Sequence, residues 1–504
     1  MIKDTIVAVA SGMGPGALAV IRVSGPETCC IIEKVFLPGG TGSSGGGKTK
    51  FPLPSHLLCH GIIQDENGQI VDEVMCVVMH KPRSYTKEDV AEIYCHGGTA
   101  TVLSVLGVLY RTGARPAEPG EFTKRAFLNG RIDLSQAEAV MELINAKSDL
   151  ARRAGLRKLS GGLLRKVNNF RDRILTWLAH IELSVDYPEH EEEAMNLAMI
   201  RDEGQKLCKE LKELRATARL GERIKTGIPT AIVGKPNVGK SSLMNAILQE
   251  DRAIVTDMPG TTRDTLTEEI TVRNIPILLT DTAGIREWDG REPSNSTMMQ
   301  LGHDGQKPQL DEAEQIGVER SKKHVQSAEL VLHVIDRSAP LTEEDYNIAE
   351  LLSESQNKGQ KKIIVLNKSD LPPAQMGVYS ALTDWPSAYS GIIIQPTDHA
   401  IEISARTGEG LDELYRIIEK LFLENTDGSM IADGDIITQA RHSYLLDEVI
   451  RHLESALSDI GDSIPEDIIS IDLKSAYVKL GEIIGEEVGD DVLDRIFEEF
   501  CVGK

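Results

Sequence analysis

The segment at 234–241 has the residue types and the spacing of a loop that binds nucleotide phosphates. It reads Gly234-Lys-Pro-Asn-Val-Gly239-Lys240-Ser241, follows the apolar run 230–233 and precedes a helical pattern at 242–248. In such a loop the backbone amides cradle phosphates, the lysine reaches the β- and γ-oxygens, and the serine hydroxyl is a ligand for Mg²⁺. We therefore predict a phosphate-binding loop (P-loop) here.

A second match to the same pattern, at 42–49, is predicted not to bind phosphate. No apolar strand precedes it, and Pro52 and Pro54 exclude the helix whose N-terminus would have to face the phosphates.

Three further motifs follow the P-loop in the order of a GTPase, each after an apolar strand: Asp281-Thr-Ala-Gly284, Asn367-Lys-Ser-Asp370 and Ser404-Ala-Arg406. The first offers a carboxylate for the Mg²⁺ shell and an amide for the γ-phosphate. Asp370 can accept hydrogen bonds from N1–H and N2–H₂ of guanine, which adenine lacks. A backbone amide of 404–406 can reach guanine O6. The set predicts a GTPase domain.

Two details concern how GTP would be hydrolysed. The residue after Gly284 is Ile285, which cannot orient a water molecule as glutamine does in Ras-like GTPases. Asn237 lies within the P-loop, and 256–264 follows at the distance of switch I. An amide oxygen and loop carbonyls could bind a monovalent cation beside the phosphates. The alternative is that Asn237 only braces the loop.

The elements that must position these residues follow from the apolar patterns. Residues 1–120 are predicted to be α+β, with strands at 5–10, 17–23, 70–79 and 90–95 and a flexible loop at 39–48. Helical patterns follow at 135–220, broken near Pro188, and again after 433. Between them, strands at 231–233, 277–280, 330–335, 363–366 and 401–403 alternate with helices, which is typical of a parallel sheet.

This order predicts an α/β segment inserted into a helical domain, with two separate helical modules as the alternative. The chain has 504 residues and a formal charge of −23, from 55 basic and 78 acidic residues. At 41% hydrophobic residues it has the composition of a globular protein, and no apolar run has the length of a membrane span. Its seven cysteines form no CxxC pair, which favours a cytoplasmic protein with reduced thiols.

Several longer strings resemble the tRNA modification GTPase family known as MnmE or TrmE. They are Ser84-Tyr-Thr-Lys-Glu-Asp89, His96-Gly-Gly98, Pro119-Gly-Glu-Phe-Thr-Lys-Arg-Ala-Phe-Leu-Asn-Gly130, Asp133-Leu, Gln136-Ala-Glu-Ala139, Val185-Asp-Tyr-Pro188, the GTPase motifs and Cys501-Val-Gly-Lys504. The resemblance covers nearly the whole chain.

The resemblance implies three domains. They are an α+β folate-binding and homodimer-forming domain at 1–131, a discontinuous helical domain at 132–225 and 426–504, and an inserted P-loop GTPase domain with a mostly parallel sheet at 226–425. It also implies an FAD-dependent MnmG (GidA) type partner. With that partner, such proteins modify C5 of the wobble uridine (position 34) of certain tRNAs.

The resemblance further implies the ligand contacts. Folate contacts map to Arg22, Glu92, Arg131 and Lys504, for 5-formyl-tetrahydrofolate or a related one-carbon tetrahydrofolate; Mg²⁺ ligands map to Ser241 and Thr262, and K⁺ ligands to Asn237, Thr256, Met258 and Thr261. GTP contacts are predicted at Asn237, Val238, Gly239, Lys240, Ser241, Ser242, Thr256, Asp257, Met258, Pro259, Gly260, Thr261, Thr262, Asp281, Thr282, Ala283, Gly284, Asn367, Lys368, Asp370, Ser404, Ala405 and Arg406. From the residues alone, Arg22 and Glu92 could equally be members of a surface ion pair. Arg131 stands where other members often have lysine.

The family's catalytic acid maps to Glu314 in Glu314-Gln-Ile-Gly-Val-Glu-Arg320, with Glu312 as a rival. The sequence departs from the family between Gly284 and this string, where the polar stretch 287–310 is expected to be a disordered loop.

Eight basic residues at 151–173, against the single acid Asp172, predict either a surface for tRNA phosphates or a solvated face paired with acids such as those at 191–193. For Cys501 we favour a packing or folate-pocket role over a catalytic thiol.

Two other functions remain open at this point. One is a ribosome-assembly GTPase that acts as a binding switch, although no GxxG loop of a KH module is evident. The other is a folate-dependent transferase with a regulatory GTPase domain.

Overall fold

The computed structural model describes residues 4–12, 16–39, 51–186, 197–250, 267–281, 325–354, 359–374, 399–423, 435–461 and 464–503. It divides into two compact units: one comprises 1–145, 155–215 and 441–504, and the other comprises 146–154 and 216–440. The predictions for 42–49, for the break at Pro188 with 189–193, and for 287–310 lie outside the described residues.

The N-terminal part of the first unit is built on a seven-stranded sheet with the order β3-β4-β5-β6-β2-β1-β7. Neighbouring strands are antiparallel except for β1 and β7, which are parallel. The strands are β1 (Ile6–Val9), β2 (Leu18–Ser24), β3 (Phe36–Pro38), β4 (Cys59–Gln64), β5 (Ile70–Met79), β6 (Val90–His96) and β7 (Arg115–Pro116).

Helices α1 (Thr28–Val35) and α2 (Thr99–Arg111) share one apolar core with this sheet. Side chains of β2 alternate between buried and partly exposed, as expected for a strand with one face in the core. The α+β prediction is confirmed. Strands β3, β4 and β7 were not predicted, because β3 and β7 have only two or three residues and His60-Gly61 interrupts the apolar pattern of β4.

The rest of the first unit is helical. The helices before 216 are α3 (Glu121–Leu128), α4 (Leu134–Ile144), α5 (Asp149–Leu159, whose first residues belong to the second unit), α6 (Gly162–Asp186) and α7 (Leu197–Ala216). Three more come from the end of the chain: α12 (Ala440–Gly461), α13 (Glu466–Ile484) and α14 (Asp490–Glu498).

The two sets of helices pack together. Arg215 Nε donates to Asp447 across 2.8 Å, and Phe497 and Phe500 join Leu134 in one apolar cluster. The helical domain is therefore discontinuous, and the alternative of two separate helical modules was wrong.

The second unit contains a six-stranded sheet with the order β13-β12-β11-β8-β10-β9, parallel except for β9 against β10. Its strands are β8 (Ile228–Val233), β9 (Thr267–Val272), β10 (Ile275–Asp281), β11 (Leu330–Asp336), β12 (Lys361–Asn367) and β13 (His399–Glu402); its helices include α8 (Ala218–Thr226), α9 (Lys240–Glu250), α10 (Glu343–Glu354) and α11 (Leu411–Leu423). Strand β11 is buried along its whole length, as expected when helices cover both faces. The predicted mostly parallel sheet is confirmed, and β9 was missed.

None of the helices in the described ranges combines the length and the apolar character that crossing a bilayer requires.

Candidate functional site

The P-loop connects β8 to α9, and two of its positions require glycine. A Cβ on Gly234 would lie 2.3 Å from the Val334 carbonyl oxygen. Gly239 has φ +96°, and a Cβ there would lie 2.2 Å from Asn367 Nδ2. Side chains at either position would push the loop away from the sheet, so the glycines hold the backbone against the strand ends.

The P-loop carries three polar side chains that the sequence singled out, Lys240, Asn237 and Ser241. Lys240 is buried, and its Nζ donates to the carbonyl oxygens of Gly234 and Lys235 across 2.9 and 2.8 Å, so it spans the loop. Asn237 is exposed and has the left-handed φ of 64°. Ser241 is exposed in the first turn of α9, whose backbone N–H groups attract anions.

A buried carboxylate anchors the start of the P-loop. Asp345 is 1% exposed and accepts from Lys235 Nζ across 2.7 Å and from the Thr342 backbone N–H across 2.9 Å. It stands on α10, far from the P-loop in the chain, and no sequence pattern had marked it.

Asn367 joins three separate segments of the predicted site. Its Nδ2 donates to the Val238 carbonyl oxygen across 2.7 Å, and its Oδ1 accepts from the Ala405 N–H across 3.0 Å. Asn367 ends β12, while Val238 and Ala405 belong to the loops that follow β8 and β13. Because these parallel strands end at one edge of the sheet, a single buried side chain fixes the P-loop to the 404–406 loop.

The residues predicted to read guanine lie beside this junction. Asp370 accepts from Ser404 Oγ across 2.8 Å, which fixes its carboxylate next to the 404–406 loop. Lys368 has φ 66° and donates through Nζ to Asp336 across 2.6 Å. Partial burial raises the pKa of Asp336, but hydrogen bonds from Lys368 and Ser338 outweigh it and lower that pKa below its ordinary value. Asp336 was missed by sequence reasoning, although an acid at the end of a buried strand was a usable signal.

Part of the predicted GTP site lies outside the described residues: Thr256, Asp257, Met258, Pro259, Gly260, Thr261, Thr262, Thr282, Ala283, Gly284, Glu312 and Glu314. Asp281 ends β10, which is parallel to β8, so its backbone lies at the same sheet edge.

The N-terminal sheet brings Arg22 and Glu92 together. They are directly opposed on β2 and β6, and the Arg22 Nε and Nη2 donate to one Glu92 oxygen across 2.9 and 2.8 Å. The other Glu92 oxygen accepts from Tyr94 Oη across 2.9 Å. The ion pair that the residues alone left open is thus present.

Arg131 and Arg22 both contact the ring of Tyr85. The Arg22 guanidinium lies 5.1 Å and the Arg131 guanidinium 4.7 Å from the centre of the Tyr85 ring. Arg131 and Tyr85 also line an open cavity of about 490 Å³, together with His56, Met79, Pro82, Arg83, Ser84 and Lys87. Its arginine and lysine side chains suit an anionic ligand.

The end of the chain lies against this domain. Val502 forms an antiparallel bridge with Pro119, and the Gly120 N–H donates to the Cys501 carbonyl oxygen across 3.4 Å. Gly503 has φ +95°, and a Cβ there would lie 2.1 Å from the Val9 carbonyl oxygen. Lys504 is outside the described residues, but its neighbour is held at the end of β1.

The charged residues of the Pro119–Gly130 motif are structural. Arg125 is fully buried and donates to Glu121 across 2.8 Å and to Asp4 across 2.9 Å. Burial raises the pKa of Glu121, but hydrogen bonds from Arg115, the Glu118 N–H and Arg125 outweigh it and lower that pKa. A buried arginine in this position requires its carboxylate partners.

The basic residues at 151–173 are largely paired. Lys158 is buried against Glu142 at 2.9 Å, and Arg173 lies 3.0 Å from Glu210. Arg171 pairs with Glu486 at 2.5 Å and lies over Tyr477 at 4.3 Å. These ion pairs favour the alternative in which the basic residues pair with acids over the one in which they bind tRNA phosphates. The acids in these pairs are Glu142, Glu210 and Glu486, not those at 191–193.

Comparisons with known proteins agree with this architecture. Residues 5–131 match the family model for the GTP-binding protein TrmE N-terminus, and 134–501 match that for the MnmE helical domain. Proteins named tRNA modification GTPase MnmE are similar to this chain over nearly its whole length. The one from Enterococcus faecalis is 39% identical over 503 residues, covering 99% of this chain and 98% of that protein. The one from Geobacillus kaustophilus is 40% identical over 505 residues, covering 99% of each.

Among solved structures, Era in complex with MgGDPNP and part of 16S ribosomal RNA is 29% identical, over 38% of this chain and 55% of that one, with a TM-score of 0.26. The two family models and the full-length relatives give one result: the chain belongs to the MnmE family of tRNA modification GTPases.

Proposed function

We propose that this chain is a K⁺-activated GTPase that modifies C5 of the wobble uridine of certain tRNAs, using a one-carbon tetrahydrofolate and an FAD-dependent MnmG (GidA) type partner. The observation that carries the GTPase part is the bridge made by Asn367 between the P-loop and the 404–406 loop. This bridge supports the proposal, because it joins the loop proposed to bind phosphates to the loop proposed to contact guanine.

In this proposal GTP binds along that edge. The P-loop amides and Lys240 hold the phosphates, and Asp370 accepts from the two guanine donors. Ser241 and Thr262 would hold Mg²⁺, which supplies positive charge at the phosphate oxygens. The exposed hydroxyl of Ser241, on the first turn of α9 and next to Lys240, fits this role.

A K⁺ ion would take the place of an arginine finger. Asn237 is an exposed loop residue with a left-handed backbone conformation, so its side chain can reach a cation. Thr256, Met258 and Thr261 are the other proposed ligands. A cation fixed beside the β- and γ-phosphates stabilises the charge of the transition state more than that of bound GTP. Glu314 is proposed to orient the attacking water, because Ile285 cannot.

The folate would bind at Arg22, Glu92, Arg131 and Lys504. A carboxylate has about four acceptor sites, so the bonds from Arg22 and Tyr94 leave Glu92 with capacity for the donor edge of a pterin. The cations around Tyr85 suit the carboxylates of a glutamate tail. We further propose that 1–131 forms the homodimer and that the domains follow the boundaries 1–131, 132–225, 226–425 and 426–504.

Exchange of K⁺ for Na⁺ tests the hydrolytic part of the proposal. Steady-state GTP turnover should fall by roughly tenfold or more in Na⁺, as for loss of a transition-state cation, while GTP affinity changes little. Asn237→Ala should lose the K⁺ stimulation, whereas Asn245→Ala, on the exposed face of α9, should keep it. Equal turnover in the two salts would refute the K⁺ assignment.

A further inference from the structure

Three side chains from different elements of the N-terminal domain meet, none of which is a proposed folate contact. Cys29 is in the first turn of α1, His80 follows β5, and Asp89 precedes β6. Their ligand atoms all lie within 4.8 Å of one another. The Cys29 sulfur is 3.6 Å and the Asp89 Oδ1 is 3.7 Å from Nδ1 of His80.

These separations match those of ligands around a small tetrahedral cation. Zn²⁺ bonds of about 2.0 Å to nitrogen and about 2.3 Å to sulfur set the two ligand atoms roughly 3.5 Å apart. A nitrogen and a carboxylate oxygen at about 2.0 Å each are set roughly 3.3 Å apart. The two distances to His80 Nδ1 exceed these values by about 0.1 and about 0.4 Å.

The surroundings of the histidine select the tautomer that binds metal. Nε2 of His80 lies 3.2 Å from the Leu53 carbonyl oxygen, which can only accept, so Nε2 carries the proton. The lone pair of neutral His80 is then on Nδ1, the atom that faces Cys29 and Asp89. A backbone carbonyl on the far nitrogen is the usual outer support of a metal-bound histidine.

The other two side chains are also held in place. Asp89 Oδ1 accepts from the Lys81 N–H across 2.9 Å, and the Asp89 carbonyl oxygen accepts from the Gly25 N–H across 3.1 Å. Gly25 has φ +141°, and a Cβ there would lie 2.6 Å from Thr5 Cα. The Gly25–Asp89 hydrogen bond holds the chain just before α1, four residues ahead of Cys29, against Asp89.

An activated Cys–His pair is the competing interpretation. A nucleophilic cysteine needs a cationic neighbour, whereas the carboxylate of Asp89 lies within 4.8 Å of the Cys29 sulfur. A nearby carboxylate disfavours a bare thiolate, whereas a thiolate and a carboxylate together favour a divalent cation.

We propose that Cys29, His80 and Asp89 bind one Zn²⁺-class ion, with a fourth position left for water. His80 and Asp89 are the two ends of the segment 80–89, which carries Tyr85 and the cavity-lining Arg83 and Lys87. The ion would therefore clamp the base of this segment. The proposal is independent of the proposed function, since metal binding is measured without GTP, folate or tRNA.

The test is a titration of the chelator-treated full chain with Co²⁺ in the absence of nucleotide. We expect one equivalent to bind with a thiolate-to-cobalt charge-transfer band, and Zn²⁺ to displace it. Cys29→Ser should abolish the band, and His80→Ala should weaken Co²⁺ binding by at least tenfold. Cys30→Ser, which changes the exposed neighbouring thiol, should leave both unchanged. Circular dichroism of the metal-free variants reports whether they fold.

Hydrogen exchange tests the clamp. Amides of 81–88 should exchange more slowly in wild type with Zn²⁺ than without it, and Zn²⁺ should have no such effect in His80→Ala. A folded protein without a charge-transfer band, or a band that survives Cys29→Ser, would overturn the site. A band without slower exchange at 81–88 would overturn the clamp.

Discussion

At the residue scale, the nucleotide site depends on side chains that hold other parts of the site in place. Asn367 is 2% exposed and satisfies both the Val238 carbonyl and the Ala405 amide. Its motif predicted a role at guanine, and the structure adds the connection to the P-loop. Sequence reasoning found such residues where short motifs follow strands. It missed Asp336 and Asp345, because their partners Lys368 and Lys235 are neighbours only in space.

Asp370→Asn should change which nucleotide binds. An amide cannot accept from both guanine donors, so GTP affinity should fall roughly ten- to a hundredfold, the scale of hydrogen bonds to a charged group. Affinity for xanthosine triphosphate should rise, because the amide can donate to the extra carbonyl. Asp412→Asn, at an exposed carboxylate paired with Arg273 in the same unit, is the control and should bind GTP normally. Calorimetry giving equal GTP affinity for Asp370→Asn and wild type would contradict the assignment.

Glu92→Gln should weaken binding of 5-formyl-tetrahydrofolate by about tenfold, because one charge-assisted hydrogen bond is lost. GTP turnover should stay normal. Glu73→Gln changes an exposed carboxylate on β5, the strand next to β6, where Glu73 pairs with His60 of β4. This variant should leave folate affinity unchanged. An unaltered affinity in Glu92→Gln would mean that Glu92 serves only its ion pair with Arg22.

At the scale of elements, a buried polar cluster ties α12 to α4 and α5. Glu138 lies 2.8 Å from Nε2 of His442 and 3.0 Å from Arg441, and Lys158 approaches it from α5. Burial raises the pKa of Glu138, but these cationic and hydrogen-bonding neighbours lower it overall. Burial lowers the pKa of His442 to about 4, from an ordinary 6.5. Two carboxylates, Glu138 and Glu142, already balance Arg441 and Lys158, so a proton on His442 would be an uncompensated buried charge.

This cluster should make the helical domain unstable in acid. Between pH 6.5 and 4 the unfolded chain binds a proton at His442 and the native state does not, so stability falls as the pH is lowered through this window. The loss approaches about 3 kcal/mol, at about 1.4 kcal/mol per pKa unit. The opening equilibrium of α12, obtained by dividing its hydrogen-exchange rates by the intrinsic rates at each pH, should therefore increase on acidification. His442→Gln should flatten this dependence, and an equally steep dependence in that variant would rule out His442 as its source.

The C-terminal tail is a second contact between distant elements. Val502 pairs with Pro119, and Gly503 lies against Val9. Deleting 501–504 should abolish binding of 5-formyl-tetrahydrofolate and spare GTP hydrolysis. Lys504→Ala keeps the backbone contacts of Val502 and Gly503 and removes only the cation. It should therefore weaken folate binding and leave GTP hydrolysis unchanged. Normal folate affinity in both variants, measured by calorimetry, would exclude a role for the tail.

Apolar periodicity predicted most of the elements near these sites. It missed β3, β7 and β9, which lie at sheet edges and have few core positions to create a pattern. It also missed β4, whose apolar pattern is interrupted by His60-Gly61. It also could not show that Val502 meets Pro119, since pairing between the two ends of a long chain leaves no local signal.

At the scale of the whole molecule, the chain interrupts a helical domain with a GTPase domain and folds its C-terminal end back onto the N-terminal domain. The order of the patterns predicted the insertion, and the packing of α12–α14 with α3–α7 confirmed it. The local pattern of charges was less informative about binding surfaces. The basic residues at 151–173 looked like a phosphate-binding surface in the sequence, whereas acids from α4, α7 and the segment after α13 pair with several of them.

We propose that GTP hydrolysis by this chain serves modification of the wobble uridine. Mass spectrometry of tRNA nucleosides from cells lacking the chain tests it directly. We predict that C5-modified wobble uridines disappear, that the wild-type chain restores them, and that Asp370→Asn fails to restore them while Asp412→Asn succeeds. Wobble nucleosides that are unchanged when the chain is absent would contradict this role in modification.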